Sequence, residues 1–218
     1  MSDEAKLICL VTPAPLADAP RIVRQADALH AAGYRVHVVH GGAANASGNS
    51  TPWAQTAVAS NRTAGAFRRA LARRLLPLAP FATIETALRV HGPEAPRLTA
   101  AAVAVGAHYY IGHRVAGIAA AATAAEHTHA KFGADLDALF EDASTDPALD
   151  PVLRTAVRII LATMLPRATH LTAAATEIAT SFAERYGTQA ETLAEFQSAD
   201  SAAHADFLRL IKKSAGRP

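Results

Sequence analysis

LICLVTPAPLADAPRIVRQADALHAAGYRVHVV, residues 7–39, decides the fold. Leu7-Ile-Cys-Leu-Val11 is an apolar run. Pro13, Pro15 and Pro20 crowd the turn that follows, a helix runs to Ala31-Ala-Gly33, and Val36-His-Val-Val39 is a second apolar run. Strand, helix and strand in that order form a βαβ unit. Two parallel strands joined by a helix put the first loop at the carboxyl edge of a sheet, where open α/β folds bind ligands. The opening of the chain therefore reads as a site as well as a scaffold.

Composition agrees with a packed α/β domain. The chain has 218 residues, half of them hydrophobic, enough for one large domain or two small ones. Alanine makes up roughly a quarter of the residues, which favours helix, and Arg heavily outnumbers Lys until the last few positions. The single cysteine, Cys9, lies inside the first apolar run, so a disulfide within the chain is excluded and a buried thiol is expected. No basic-then-apolar leader opens the sequence, and its apolar stretches are broken by Arg, His, Gly or Pro before they span a bilayer. A soluble cytoplasmic protein is expected. A net charge of +2 gives no reason to expect a nucleic-acid partner.

Charge is concentrated in one segment. Between Asn61 and Leu78 the chain carries Arg62, Arg68, Arg69, Arg73 and Arg74 with no acidic residue, while Phe67, Leu71, Leu75 and Leu78 recur at helical spacing. This is a basic amphipathic helix, stopped by Pro77 and Pro80. It has two readings. Its arginines face an anionic membrane, making the protein peripheral on the inner membrane face, or its Leu stripe packs on the protein's own sheet.

Strand and helix then alternate. Phe81–Val90 and Pro96–Val105 read as helices separated by His91-Gly-Pro-Glu-Ala-Pro96, and His108-Tyr-Tyr-Ile111 as a strand closed by Gly112. Val115–His129 is helical, Ala130–Gly133 extended, and an acidic loop leads to a helix opened by Pro151. His170–Ala173 is a strand, Thr176–Tyr186 a helix stopped by Gly187, and Glu191–Phe196 a last strand. Five or six strands separated by helices predict a Rossmann-like parallel sheet covered on both faces.

Several chemistries are missing their signatures. Pro13 and Pro15 stand where a dinucleotide site needs Gly-x-Gly-x-x-Gly, and there is no P-loop and no Gly-x-Ser-x-Gly elbow. His127 and His129 point to different faces of a helix end, so no metal is expected. The acidic loop from Asp135 to Asp150 lacks EF-hand spacing. No cofactor is implied.

Five segments, in order, resemble the amino-terminal half of the family 4 glycosyltransferases of the GT-B fold. Ala19-Pro-Arg-Ile-Val-Arg-Gln-Ala26 with Ala31-Ala-Gly-Tyr-Arg-Val-His-Val-Val39 resembles their opening; Tyr109-Tyr-Ile-Gly-His113 resembles a strand ending in a functional histidine; Phe132-Gly-Ala-Asp-Leu-Asp137 with Glu141 resembles the next acidic segment. Leu165–Ala174 and Ile178–Gly187 resemble the strand and helix that close the first domain. The resemblance implies a single GT-B N-terminal-type domain over residues 1–197, holding the acceptor side. Residues 198–218 then form a linker or tail helix leading to an absent donor domain. It also implies a nucleotide-sugar donor bound mainly elsewhere, a carbohydrate or lipid-linked acceptor, and a donor-domain partner chain.

On that resemblance His113 is the catalytic candidate, and Asp18, Arg21, Arg114, Asp135 and Asp137 are the substrate-binding ones. Four of them have a plainer role: a buried imidazole at a strand end for His113, a helix N-cap for Asp18, a solvated loop for the two later aspartates. The chain also departs from the family pattern at Ala19, at Arg114 where an acid often follows the histidine, at Ala175-Thr176, and near Ala194. Replacing a carboxylate beside the histidine by Arg114 changes the local charge by two units, and altered catalysis is expected. Two functions remain: the acceptor-side domain of a retaining glycosyltransferase, or a non-catalytic relative that binds a partner or small ligand through the same edge.

Overall fold

The computed structural model describes residues 5–42, 51–59, 65–137, 150–193 and 202–218. Seven parallel strands form one sheet: β1 Leu7–Thr12, β2 Arg35–Gly41, β3 Ala54–Val58, β4 Tyr109–His113, β5 Lys131–Leu136, β6 Leu171–Ala173 and β7 Glu191–Thr192. Their order is β3-β2-β1-β4-β5-β6-β7. Strand order reverses between β1 and β4, whose registers pair Ile8 with Tyr109 and Val11 with Gly112. The carboxyl ends of these two strands therefore flank the switch point where open sheets leave a crevice.

The expected α/β class is found, with one strand more than expected. Ala54-Gln-Thr-Ala-Val58 is short and lies at an edge, exposed or half-buried along its length, so it lacks the apolar run that marks the inner strands. The last strand is described only at Glu191–Thr192, and the remainder of Glu191–Phe196 beyond Leu193 lies outside the described residues.

Among the described residues eight α-helices connect and cover the sheet. α1 is Pro20–Ala31, α2 Ala66–Leu75, α3 Ile84–His91, α4 Glu94–Val105, α5 Arg114–Thr128, α6 Pro151–Met164, α7 Thr176–Tyr186 and α8 Ala202–Ala215. Strand alternation divides the core. Cys9, Val11, Tyr110, Phe132 and Leu136 meet α3 to α7 on one face; Ile8, Leu10, Tyr109 and Ile111 meet α1 and α8 on the other. α8 buries Phe207 and Ile211 against the α1 face, and its end is tied down where Nζ of Lys6 donates to the Ala215 carbonyl and Tyr34 Oη to that of Gly216.

α5 is the central helix. Ten of its residues from Val115 to Ala125 are buried, mostly alanines, because it is covered by α4 and α6 as well as by the sheet. Small side chains let it approach the strands closely. A Cβ on Gly117 would run into the carbonyl oxygen of Val11, so the helix sits as near β1 as its backbone permits. That approach sets the first turn of α5 at the switch point. Gly117→Val is expected to destabilise the protein by about 1–3 kcal/mol or more through overpacking, measured as a lower urea midpoint with an unchanged slope.

Candidate functional site

The carboxyl rim of the sheet carries a buried polar cluster centred on Asp135, the fifth residue of β5. Arg21, in the first turn of α1, clasps the carboxylate with two nitrogens, Nε to Oδ2 at 2.6 Å and Nη2 to Oδ1 at 2.9 Å, and its Nη1 donates to the Leu193 carbonyl at 3.0 Å. Nε2 of Gln25, one helical turn later, donates to Oδ2 at 2.8 Å, and the Thr172 hydroxyl donates to Oδ1 at 2.5 Å. Nδ1 of His113 lies 3.4 Å from Oδ2. One carboxylate thus joins β4, β5, β6, α1 and the segment after β7.

The charges follow from this packing. Burial alone raises the Asp135 carboxyl, but the hydrogen bond and charge of Arg21, with the Thr172 hydroxyl, outweigh it and hold the group at about 2. The Arg21 guanidinium is pushed up: burial opposes its charge, and the Asp135 carboxylate more than restores it. His113 goes the other way, since burial lowers it more than the neighbouring aspartates raise it. His113 is therefore neutral at neutral pH, and the carboxylate beside Nδ1 favours the tautomer with its proton there. Its Nε2 is buried without a hydrogen-bond partner among the described residues, as is Oε1 of Gln25. Burial raises Asp137, whose Oδ2 lies 3.9 Å from Nε of Arg114.

Arg114 opens α5 with φ 57°, in the left-handed region that a non-glycine residue adopts at a cost. The strained residue directly follows His113 and begins the helix at the switch point. Beside it a cleft of about 240 Å³ opens between Pro13 after β1, His91 at the end of α3, the first residues of α5, and Leu153 and Arg154 of α6. Among the described residues two arginines and a histidine line it, and no acidic residue does.

The sequence candidates separate on this map. His113, Arg21 and Asp135 meet directly; Arg114 and Asp137 stand next to them on the rim. Asp18 is exposed in the 3-10 turn Leu16–Asp18 and does not cap α1, whose N-cap is Ala19 without a side-chain hydrogen bond. The oxygens of Asp135 and the nitrogens of Arg21 are bonded to protein groups. Gln25, Thr172, His91 and Arg154 were not legible as site residues, because nothing in their local pattern marks them; only the packing brings them to the rim. Arg62 lies outside the described residues. Among the described residues no three His, Cys, Asp or Glu side chains gather as a metal site, and no helix is long and apolar enough to cross a membrane.

A second polar column lies deeper on the same face. His170 stacks on Tyr109 with ring centroids 5.7 Å apart and joins its hydroxyl through Nδ1 at 2.7 Å. The imidazole lies in the space a side chain at Gly133 would fill. Burial pulls His170 down to about 4 and pushes Tyr109 up to about 12.

No family model and no curated protein matches this chain. Among solved structures, a sucrose-phosphate synthase from Thermosynechococcus elongatus aligns at 10% identity and a TM-score of 0.51, covering 96% of this chain and 97% of that one. The two chains share a fold. A UDP-N-acetylglucosamine 2-epimerase from Listeria monocytogenes aligns at 10% identity and a TM-score of 0.42, over 83% of this chain and 42% of that one, a likeness too slight to carry an argument.

Two stability predictions follow from the buried charges. Asp135→Asn, which removes the carboxylate that Arg21 clasps, is expected to destabilise by about 3–5 kcal/mol, and Arg21→Met combined with it to cost clearly less than the sum of the single changes; urea unfolding of the four proteins measures this. His170 is neutral in the folded chain and titrates at about 4, against an ordinary value near 6.5 in the unfolded one. Its contribution is complete above pH ~6.5 and is lost as the pH falls towards ~4, on the order of 3 kcal/mol. Stability measured across that window is expected to fall steeply and to fall less in His170→Asn, the other depressed histidines supplying the remainder.

Proposed function

We propose that this chain is the acceptor-side domain of a retaining glycosyltransferase. In this reading a nucleotide-sugar donor, held mainly by a second domain or partner chain, delivers its sugar across the rim to a carbohydrate or lipid-linked acceptor. The observation that carries the reading is the place of the cleft. It lies at the switch point between β1 and β4, against the residues that follow Thr12 and His113, where α/β sheets take their ligands. The resemblance of five ordered sequence segments and the shared fold point the same way.

In this mechanism the protein positions and polarises. Asp135, fixed by Arg21, Gln25 and Thr172, keeps the His113 proton on Nδ1 and leaves Nε2 as a hydrogen-bond acceptor. A buried imidazole nitrogen without a partner costs about 1–3 kcal/mol, and a sugar hydroxyl arriving at the rim supplies that partner. Arg114, Arg154 and the first-turn amides of α5 give the adjacent cleft a positive character, suited to the charge that leaves with a nucleotide or resides on an acceptor.

A second reading has its own support: the hydrogen-bonding atoms of Asp135 and Arg21 are already used within the protein. A non-catalytic module that binds a ligand or partner at the rim needs no more than that. Titration of ¹⁵N-labelled protein with UDP-glucose, UDP-N-acetylglucosamine, GDP-mannose and the corresponding free sugars separates the two. The transferase reading expects shifts at the His113 ring and the Arg114–Ala116 amides, with affinity reduced at least about tenfold in His113→Phe. Silence at these positions with every sugar leaves the non-catalytic module.

A further inference from the structure

The surface formed by α2 and α3 differs in chemistry from the Asp135 cluster. Among the described residues the large hydrophobic side chains that stand exposed are Phe67 (81%), Leu71 (49%), Leu78 (54%) and Phe81 (45%). All four fall within α2 and the turn after it. The helix turns Ala72 and the following Leu76 into the core, not the stripe that the spacing picks out. Isolated exposed apolar residues are ordinary, but four gathered on one short segment form a patch that asks for a partner.

The arginines around the patch select the partner. Arg73 is drawn aside into an ion pair with Asp150. Arg68 of α2 and Arg89 of α3 each line two adjoining grooves, one of about 290 Å³ over Leu71, Ala72 and Leu75, the other of about 270 Å³ over Gly65, Gly92, Pro93 and Pro96. Among the described residues neither groove has an acidic lining residue, and Arg69 lines the second. Arg68, Arg74 and Arg89 are exposed and make no ion pair with the described residues. The nearest acid in sequence is Glu85, in the first turn of α3. Paired guanidinium groups with no competing carboxylate match a phosphate oxygen cluster, and exposed Phe and Leu beside them match the boundary between headgroups and acyl chains.

We propose that the α2–α3 surface docks on an anionic phospholipid membrane, with Phe67, Leu71, Leu78 and Phe81 entering the acyl boundary and Arg68 and Arg89 holding a lipid phosphate between them. Arg69 and Arg74 add charge at the headgroup level. An acidic protein would satisfy the arginines but has less use for the aromatic tips at Phe67 and Phe81. The inference stands on this surface alone and does not rest on the transfer chemistry proposed for the rim.

Flotation with vesicles tests it directly. The full chain is expected to bind vesicles of roughly 3:7 phosphatidylglycerol to phosphatidylcholine and to release as salt rises from about 0.1 to about 0.5 M. Binding is expected to drop at least about tenfold in Arg68→Glu/Arg89→Glu and separately in Phe67→Ser/Leu71→Ser. All of these positions are exposed, and an unchanged thermal unfolding curve shows that the variants remain folded. Failure to bind the anionic vesicles, equal binding to pure phosphatidylcholine, or full binding by the charge-reversed variant overturns the proposal. So does a homodimer in light scattering that Phe67→Ser/Leu71→Ser dissolves, which would give the surface to a second copy of the chain.

Discussion

A carboxylate with no exposed surface governs the rim of this protein. Removing Asp135 from water disfavours its charge, and the protein keeps that charge only by surrounding it with Arg21, Gln25 and Thr172. Two of the donors come from α1 and the third from β6, so ionisation of one group requires α1, β5 and β6 to hold their relative positions together. The bond from Arg21 to the Leu193 carbonyl extends the constraint to the segment after β7. A misdocked α1 would strand a buried charge, which is far costlier than a lost apolar contact. The cluster thus specifies how the first helix packs across the carboxyl edge.

The same cluster divides protonation states across a few ångströms. Asp135 is held ionised while His113, close beside it, is kept neutral by burial. The carboxylate fixes which imidazole nitrogen carries the proton, and the histidine acquires a defined acceptor side without becoming a cation. His170 is likewise neutral, deeper on the same face. Within the largely apolar face beneath α1 and α8, Tyr109, His113 and His170 are thus neutral rings with one paired charge at the rim.

The inner strands were legible because burial on both faces leaves continuous apolar runs: Leu7–Val11 and Val36–Val39 need no long-range information. Ala54–Val58 was not, since an edge strand with exposed side chains carries no such run. His113 and Asp135 were found as separate strand-end residues, but that Arg21 saturates Asp135 depends on a contact 114 residues apart in sequence. Asp18 has the residue type of a helix cap, but the chain starts α1 at Pro20, whose missing N–H leaves one fewer donor for a cap to accept from. The α2 stripe was visible as a period, but periodicity gives an apolar face without saying what lies opposite it. The structure turns Ala72 and Leu76 inward and leaves Phe67 and Leu71 in solvent.

What the alanine content does is clearest in α5. An alanine-rich helix buried on several sides carries little side-chain bulk, and Gly117 removes even the methyl where the helix meets Val11. The backbone can therefore come close enough to the sheet for its first turn to open at the switch point instead of above it. The turn from β4 must then reverse within one residue, and Arg114 accepts a left-handed conformation to do so. Composition that looks like mere bias thus sets a distance, the distance forces a strained residue, and that residue places a cation and the positive end of a fifteen-residue helix beside His113. A bulkier helix would relax the turn and draw both away from the cleft, so the rim's electrostatics depend on the smallness of side chains that never touch it.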